Sequence, residues 1–586
     1  MSCSQVEGRE IKIHALPLRQ FICLWRPHLR YALGAGLTSL FIALLGLPGP
    51  FLTRFAIDKV FPNRNIHLLT LVAIGLLFLS ATTALSSYIS SLLMFIFRSK
   101  VTVHIQQRLF EHIEHLNMIF HDRTKTGESV SILTGDVSNL QGLMADTLVA
   151  FSRNLVTFII GVITLCSLNW RLALLALGIM PLFIYSTYVF SGQIRKKSGA
   201  VQKNFACLLS FLFGWLSAIS LIKTFWLEKE IAIRLRNRLE ESFAINLSFT
   251  KTFLLSGSIA MFIGSLGAIL ILWYGGQEIM KGRLTLGSFV AFNAILNYLY
   301  TPIQVFMGLN SSIQKAFASL ERVFTIYNIP AENGDANMPV PADKRMDISF
   351  DNVVFGFLGK KPVLHNMSFE IKYGEKVAIV SRSGSGKTTL VKLLLKFYTP
   401  EKGRIGIAGI DIRSIRTSDL RKKIGVVHQN EYVLPGTMRD NVRIGKPDAS
   451  DDELFQALRH TNLYDFIVGL PAGLDTEIGE RGVGLSDGEV QRLAISRVIL
   501  RDPDILIFDE AFSEIDPQSE SLIREAIFQL FRDRTVIFIT HRLSDVAWAE
   551  RVIFIDAGRF IGTAPHNELL ATLHDYREFW EANNAG

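Results

Sequence analysis

Six stretches of this 586-residue chain are long and apolar enough to cross a lipid bilayer, and they constrain everything else it can build. A crossing takes about 20 residues of helix, and in lipid the backbone must satisfy its own polar groups. The stretches are Tyr31–Thr53, Leu68–Phe97, Asn154–Asn169, Leu172–Ile194, Thr252–Gln277 and Leu284–Gln314. Asn154–Asn169 is the shortest and is bounded by Arg153. Pro48, Pro50, Pro181 and Pro302 fall inside spans, where neighbouring helices can satisfy the freed carbonyls. Leu18–Pro27, with Trp25, reads as a short interfacial helix ahead of the first span. Composition agrees, with 49% hydrophobic and only 19% charged residues. The net charge of +8 fits an excess of Lys and Arg on cytoplasmic loops, and nucleic acid is not an expected partner.

The connections alternate. Arg54–His67, Trp170–Arg171 and Glu278–Arg283 are short, whereas Arg98–Arg153 and Arg195–Lys251 are long and helical in pattern. The second long one carries Arg195, Lys196, Lys197, Lys223, Arg234, Arg236 and Arg238, which favour the cytoplasm. The expectation is a multi-pass protein of the cell (inner) membrane with both termini and its soluble domain cytoplasmic. Met1–Leu16 has no apolar core, so no cleavable signal peptide is expected. Cys3, Cys23, Cys166 and Cys207 are scattered, without a metal or disulfide pattern.

The expected domains are a membrane domain over 1–328, a linker over 329–345 and a soluble domain over 346–586. Pro330, Glu332, Asn333, Gly334, Pro339 and Pro341 mark the linker. Beyond it, short apolar runs alternate with helical patterns: Ile348–Phe350, Lys376–Val380, Ile424–Val427, Ile505–Phe508 and Thr535–Ile539. That alternation predicts an α/β domain with a largely parallel sheet.

One of those runs opens into Ser381-Arg382-Ser383-Gly384-Ser385-Gly386-Lys387-Thr388-Thr389, the strand–loop–helix of a P-loop NTPase. Backbone N–H groups from Ser383 to Thr389 would surround a triphosphate at the positive end of the new helix. Lys387 would reach the β/γ-phosphates and the Thr388 hydroxyl would bind Mg²⁺, making ATP and Mg²⁺ the expected ligands. Ser381 stands where the pattern wants glycine. Downstream, Ile505-Leu506-Ile507-Phe508-Asp509-Glu510 delivers two carboxylates from a buried strand. Asp509 suits the metal shell and Glu510 the orientation or deprotonation of a water.

Ahead of that strand, Leu485-Ser486-Asp487-Gly488-Glu489-Val490-Gln491-Arg492-Leu493-Ala494-Ile495-Ser496-Arg497 resembles the signature motif of ATP-binding cassette proteins. Gln429 resembles the Q-loop glutamine, Glu477–Gly482 the segment preceding the signature in exporters, Ser513–Asp516 the D-loop, and His541 the switch histidine. The order is the family's, and six spans followed by one cassette resembles an exporter half-transporter. The resemblance implies an ATP hydrolase coupled to transport, working as a dimer with two nucleotides sandwiched between two cassettes. It gives Glu510, His541 and Gln429 catalytic roles, adds Gln429 to the metal shell with Thr388 and Asp509, and places Ser486 and Gly488 on the partner's γ-phosphate. Phe357 stands where exporters carry an adenine-stacking tyrosine. Asp487 and Glu489 replace glycine and glutamine of the motif, which brings extra negative charge near a triphosphate unless the side chains turn away. Glu510 and His541 keep the competent pattern, so a homodimer is the first expectation and pairing with another half-transporter the second.

Phe120–Glu128 resembles the first cytoplasmic loop that docks on a cassette, and the second falls near Leu208–Ile222. Phe211, Phe213 and Trp215 there suit either a groove on the partner cassette or burial in the chain's own bundle. Asn293, Asn297, Thr301 and Gln304 recur at helical spacing and form a candidate substrate path. Ser80, Thr83, Ser87 and Ser90 form a second stripe, read as interhelical hydrogen bonding. The six spans hold no Asp or Glu, which favours an amphipathic, neutral or zwitterionic cargo such as a peptide, lipid or drug-like molecule. Lipid flipping, import by an exporter-shaped machine and an ATP-sensing switch without cargo are the alternatives. No leader-peptide-trimming domain is expected.

Overall fold

The computed structural model describes residues 26–142, 148–332, 338–341, 345–357, 361–382, 384–479 and 483–584. Ser383, most of the interfacial stretch Leu18–Pro27, and the side chain of Gln304 lie outside them. The chain divides into two units, Met1–Glu114 with Thr126–Ile329, and His115–Lys125 with Pro330–Gly586.

In the first unit, long apolar stretches run on into polar helical patterns and produce very long helices, one of which carries Pro181 in its interior. Ile66–Glu114 has 49 residues, Trp170–Ser217 has 48 and Glu228–Met280 has 53. At about 1.5 Å per residue each measures about 70–80 Å, more than twice the hydrocarbon thickness of a bilayer. The long connections of the sequence are therefore continuations of the spans. Among the described residues, five helical stretches are long and apolar enough to cross a membrane.

Three spans differ from expectation. The first breaks after Leu45 and restarts at Pro48, with proline in the opening turn where its missing N–H costs nothing. Gly46, in the break, lies so close to the Tyr298 hydroxyl that a Cβ would stand 1.7 Å from it. The third is longer than Asn154–Asn169, running from Leu148 to Leu168 with Arg153 inside and exposed. The sixth is split into Leu286–Ile295 and Asn297–Tyr327. Pro302 lies one turn into the second piece and cannot donate to the Tyr298 carbonyl, which loosens the helix there. The core of this unit includes Leu172, Ala176, Ile271, Phe292, Ile295 and Leu299, all buried. In the serine stripe of the second span, Ser90 meets Ser39 Oγ at 2.9 Å, an interhelical bond between the first two spans, whereas Ser80 and Ser87 are exposed.

Among the described residues the second unit has twelve strands: β1 Ile348–Phe355, β2 Leu364–Ile371, β3 Lys376–Ser381, β4 Lys402–Ile407, β5 Ile410–Asp411, β6 Ile424–Val427, β7 Gly436–Thr437, β8 Glu477–Ile478, β9 Ile505–Asp509, β10 Thr535–Thr540, β11 Arg551–Asp556 and β12 Arg559–Ala564. Six form one sheet in the order β12-β11-β3-β10-β9-β6, parallel except for the edge strand β12. A second, antiparallel sheet, β2-β1-β4-β5, was not foreseen from sequence. β3, β9 and β10 are buried along their whole length, which is why they read as uninterrupted apolar runs. Register does the rest. Thr540 pairs with Val380 and Ile539 with Asp509, so the carboxyl ends of β3, β10 and β9 stand side by side.

The short helix Met118–Arg123 belongs to this second unit. Asn117 caps it by accepting from the Phe120 N–H at 3.1 Å, and Met118 and Ile119 pack on the sheet core. Asp122 accepts a hydrogen bond from the Tyr398 hydroxyl.

Candidate nucleotide site

The parallel strands end in the residues that carry chemistry. Beyond β3, Gly384 and Gly386 take φ of +79° and +91°, a left-handed pair that suits a loop whose N–H groups turn inward. A Cβ on Gly386 would meet Leu364 Cδ2 at 2.7 Å, so conformation and space both require glycine. The helix Lys387–Leu394 starts immediately after, with no side chain capping its N-terminus. Its free N–H groups and dipole favour an anion. Ser381 is the last residue of β3, where extended backbone accepts any side chain, and its hydroxyl donates to the Arg382 carbonyl at 3.0 Å.

Lys387 Nζ donates to the Ser381 carbonyl at 3.2 Å and lies 3.4 Å from Glu510 Oε1. Glu510 has a φ of +53°, uncommon for a residue with a side chain, held by its N–H on the Ile539 carbonyl at 2.9 Å. The same Oε1 is 3.2 Å from His541 Nδ1, which follows the end of β10. Asp509, 4% exposed, closes β9, and the Thr388 hydroxyl donates to it. Burial pushes the Asp509 carboxyl above the usual carboxylate range, against the pull of Thr388, His428 and Lys387. Lys387, Thr388, Asp509, Glu510 and His541 thus come together in one site.

The other expected residues lie in the same loop, on the first turn of its helix and on other elements of this unit. Gln429 lies two residues past β6 and is exposed. Ser385 and Thr389 are buried in the loop and first helical turn. Phe357 is half-buried, edge-on to Phe355 and Tyr398 with centroids 5.1 and 5.2 Å away, and Lys392 Nζ lies 5.7 Å from its ring centre. Ser486 and Gly488 open the helix Asp487–Arg501. Ser486 forms a capping box with Glu489, whose carboxylate accepts the Ser486 N–H at 2.7 Å. Glu489 is therefore turned back on its own helix, while Asp487 stays exposed in the first turn. A Cβ on Gly488 would meet the Glu514 carbonyl at 2.8 Å.

Sequence reasoning passed over two connections. Buried Gln491 donates to Ser513 Oγ and accepts from the Glu514 N–H, both at 3.2 Å, tying the signature helix to the loop after β9. Tyr398 joins Phe357 to Asp122. Neither has a signal in the sequence, because the partners are 22 and 276 residues away.

Comparison with known proteins gives one answer over the whole length. The model of the ABC transporter transmembrane region matches residues 33–303, and the ABC transporter model matches 364–513. An "ATP-dependent lipid A-core flippase" of Syntrophus aciditrophicus (strain SB) is 32% identical over 559 residues, 95% of this chain and 93% of that protein. A "Putative multidrug export ATP-binding/permease protein YgaD" of Bacillus subtilis (strain 168) is 32% identical over 492 residues, 83% of this chain and 84% of the relative. A solved bacterial Atm1-family ABC exporter with ATP bound matches with a TM-score of 0.82 at 27% identity, covering 95% of this chain and 98% of the exporter. The chain belongs to the ATP-binding cassette exporters, as a half-transporter that joins a helical membrane domain to an α/β nucleotide-binding domain and couples ATP hydrolysis to transport.

Proposed function

We propose that two copies of this chain form a homodimeric exporter for an amphipathic, neutral or zwitterionic cargo. The carrying observation is the stripe Asn293, Asn297 and Thr301, one helical turn apart and exposed, in a segment that belongs to the membrane domain. Among the described residues their side chains hydrogen-bond to nothing in this chain. Polar groups facing hydrocarbon are costly, so such a stripe suits a wet cavity between two copies. Gln304 continues it by spacing. Phe213 and Trp226, 69% and 82% exposed around the tip between Trp170–Ser217 and Glu228–Met280, also call for a partner surface. A cleft of about 190 Å³ lined by Val426, Ile444, Ala494 and Arg497 on the other copy's cassette suits them.

At each nucleotide the loop from Ser383 to Thr389 would hold the phosphates, with Lys387 on the β/γ oxygens and Phe357 offering a ring face to adenine. Thr388, Asp509 and Gln429 would hold Mg²⁺. The buried Asp509 carboxylate fits that ion because burial leaves it short of positive charge. Bound there, Mg²⁺ would neutralise phosphate charge. Glu510 would orient and deprotonate the attacking water, His541 would fix that carboxylate and sense the γ-phosphate, and Ser486 and Gly488 would close on the other copy's ATP. The domain limits 1–328, 329–345 and 346–586, the inner membrane and a cytoplasmic position for both termini belong to the same reading.

A lipid cargo is the second reading, favoured by the flippase relative at 32% identity over 95% of the chain. Proteoliposomes with outward-facing cassettes test both. ATP-dependent accumulation of a soluble amphiphile inside them supports export, and movement of a labelled lipid between leaflets alone supports flipping. No nucleotide-dependent movement of any cargo refutes both.

A further inference from the structure

Behind the switch histidine lies a cluster of charges that hydrolysis does not itself require. Arg524 is 1% exposed, Asp545 4% and Glu520 6%, all far from the phosphates' loop in sequence. Charges so buried persist only when paired. Arg524 pairs with Glu520 at 2.6 Å and with Asp545, and Asp545 accepts from the Thr540 hydroxyl. Thr540 Oγ1 in turn accepts the Arg542 N–H at 2.9 Å. The Arg542 guanidinium closes the ring, reaching Glu520 at 3.2 Å. His541 is the one residue between these two anchored neighbours, and its own side chain is 53% exposed.

The ring has a second hold. Arg542 Nη1 donates to the Phe512 carbonyl at 2.7 Å, and the Arg524 guanidinium carbon lies 4.6 Å from the centre of the Phe512 ring. Phe512 is 2% exposed, two residues after Glu510 and immediately before Ser513. One arginine fork therefore joins the segment carrying His541 to the segment carrying Glu510.

We infer that Arg542, oriented by Glu520, is a positioning residue for ATP hydrolysis that fixes Glu510 and His541 relative to each other. Its guanidinium is engaged by the Phe512 carbonyl and the Glu520 carboxylate. Removing it takes away one tie between the two segments, which stay joined through the β9–β10 pairing and the Glu510 N–H, while Lys387 and the glycine loop still bind. This rests on the assignment of Glu510 and His541 above, and the test separates the two.

The experiment measures ATPase rate against ATP concentration for the full chain in lipid, with fluorescent-ATP binding as a control. Variants are Arg542→Met, Arg542→Lys, Glu520→Gln, His541→Ala and the double Arg542→Met/His541→Ala. Arg542→Met is expected to lower kcat about tenfold with KM within about twofold, and the double variant to be no slower than His541→Ala, because groups acting as a unit are not additive. Arg542→Lys, which can hold Phe512 or Glu520 but not both, should recover part of the rate. An unchanged kcat, a KM rising in step with lost binding, or full additivity with His541→Ala would overturn the inference. A rate unaffected by His541→Ala would instead refute the role given to the histidine.

Discussion

Oε1 of Glu510 lies 3.2 Å from Nδ1 of His541 and 3.4 Å from Nζ of Lys387, so one carboxylate oxygen is shared between an ammonium and an imidazole. In the proposed reading the imidazole would act through Glu510 as well as on the γ-phosphate. Replacing His541 by Ala should lower kcat about 10²-fold, the low end of what one positioned acid–base group contributes. ATP affinity should stay within about twofold, measured by equilibrium binding of a fluorescent analogue.

Asp509 bears a buried charge whose cost falls on the fold. Its carboxyl titrates above the ordinary range because of burial, so the penalty is present above that raised value. It disappears as pH falls through the raised value to the ordinary carboxylate range. Asp509→Asn should raise the melting temperature of the nucleotide-free protein at neutral pH, and the gain should shrink on acidification. The same variant should lose the further stabilisation that Mg²⁺ adds to ATP, measured by thermal shift.

The two acids of the signature should behave differently. Glu489 accepts the Ser486 N–H at 2.7 Å and glutamine can do the same, so Glu489→Gln should leave the ATPase rate within about twofold. Asp487 is exposed in the first helical turn with nothing holding it back. Asp487→Gly should raise turnover by removing negative charge from the face proposed to meet the other copy's triphosphate. Steady-state rates of both variants check this. Ser486→Ala should cost about 1 kcal/mol of cap stability.

Tyr398 offers a separation of ring from hydroxyl. Its ring meets Phe357 edge-on at 5.2 Å, and its hydroxyl bonds Asp122 on the helix Met118–Arg123. Tyr398→Phe keeps the first contact and loses the second. ATP binding should be unchanged while cargo stimulation of the ATPase falls severalfold, and Asp122→Asn should have a smaller effect because the amide oxygen can still accept.

Much of this was legible because strong local rules set it. The buried strands β3, β9 and β10 announced themselves as short apolar runs rich in Val and Ile, and the phosphate loop by its two glycines. The membrane spans were visible, but not their ends. Apolar content says where lipid is, and the helices Ile66–Glu114 and Glu228–Met280 continue far beyond it on polar residues. The split at Leu296 sits beside close packing around Tyr298, whose Cβ lies 2.8 Å from where a Gly161 Cβ would be. Such an approach has no local signature. The same holds for Arg542 and Tyr398, whose partners Phe512, Glu520 and Asp122 lie far away in sequence.

The most direct test is ATPase activity of the purified full chain in lipid, wild type beside Glu510→Gln, with candidate amphiphiles added. The expected result is turnover by the wild type that at least one amphiphile stimulates, and loss of about 10²-fold or more in Glu510→Gln with ATP binding retained. Turnover that survives Glu510→Gln would contradict the catalytic assignment. ATP binding by the wild type without turnover would contradict a self-sufficient homodimer.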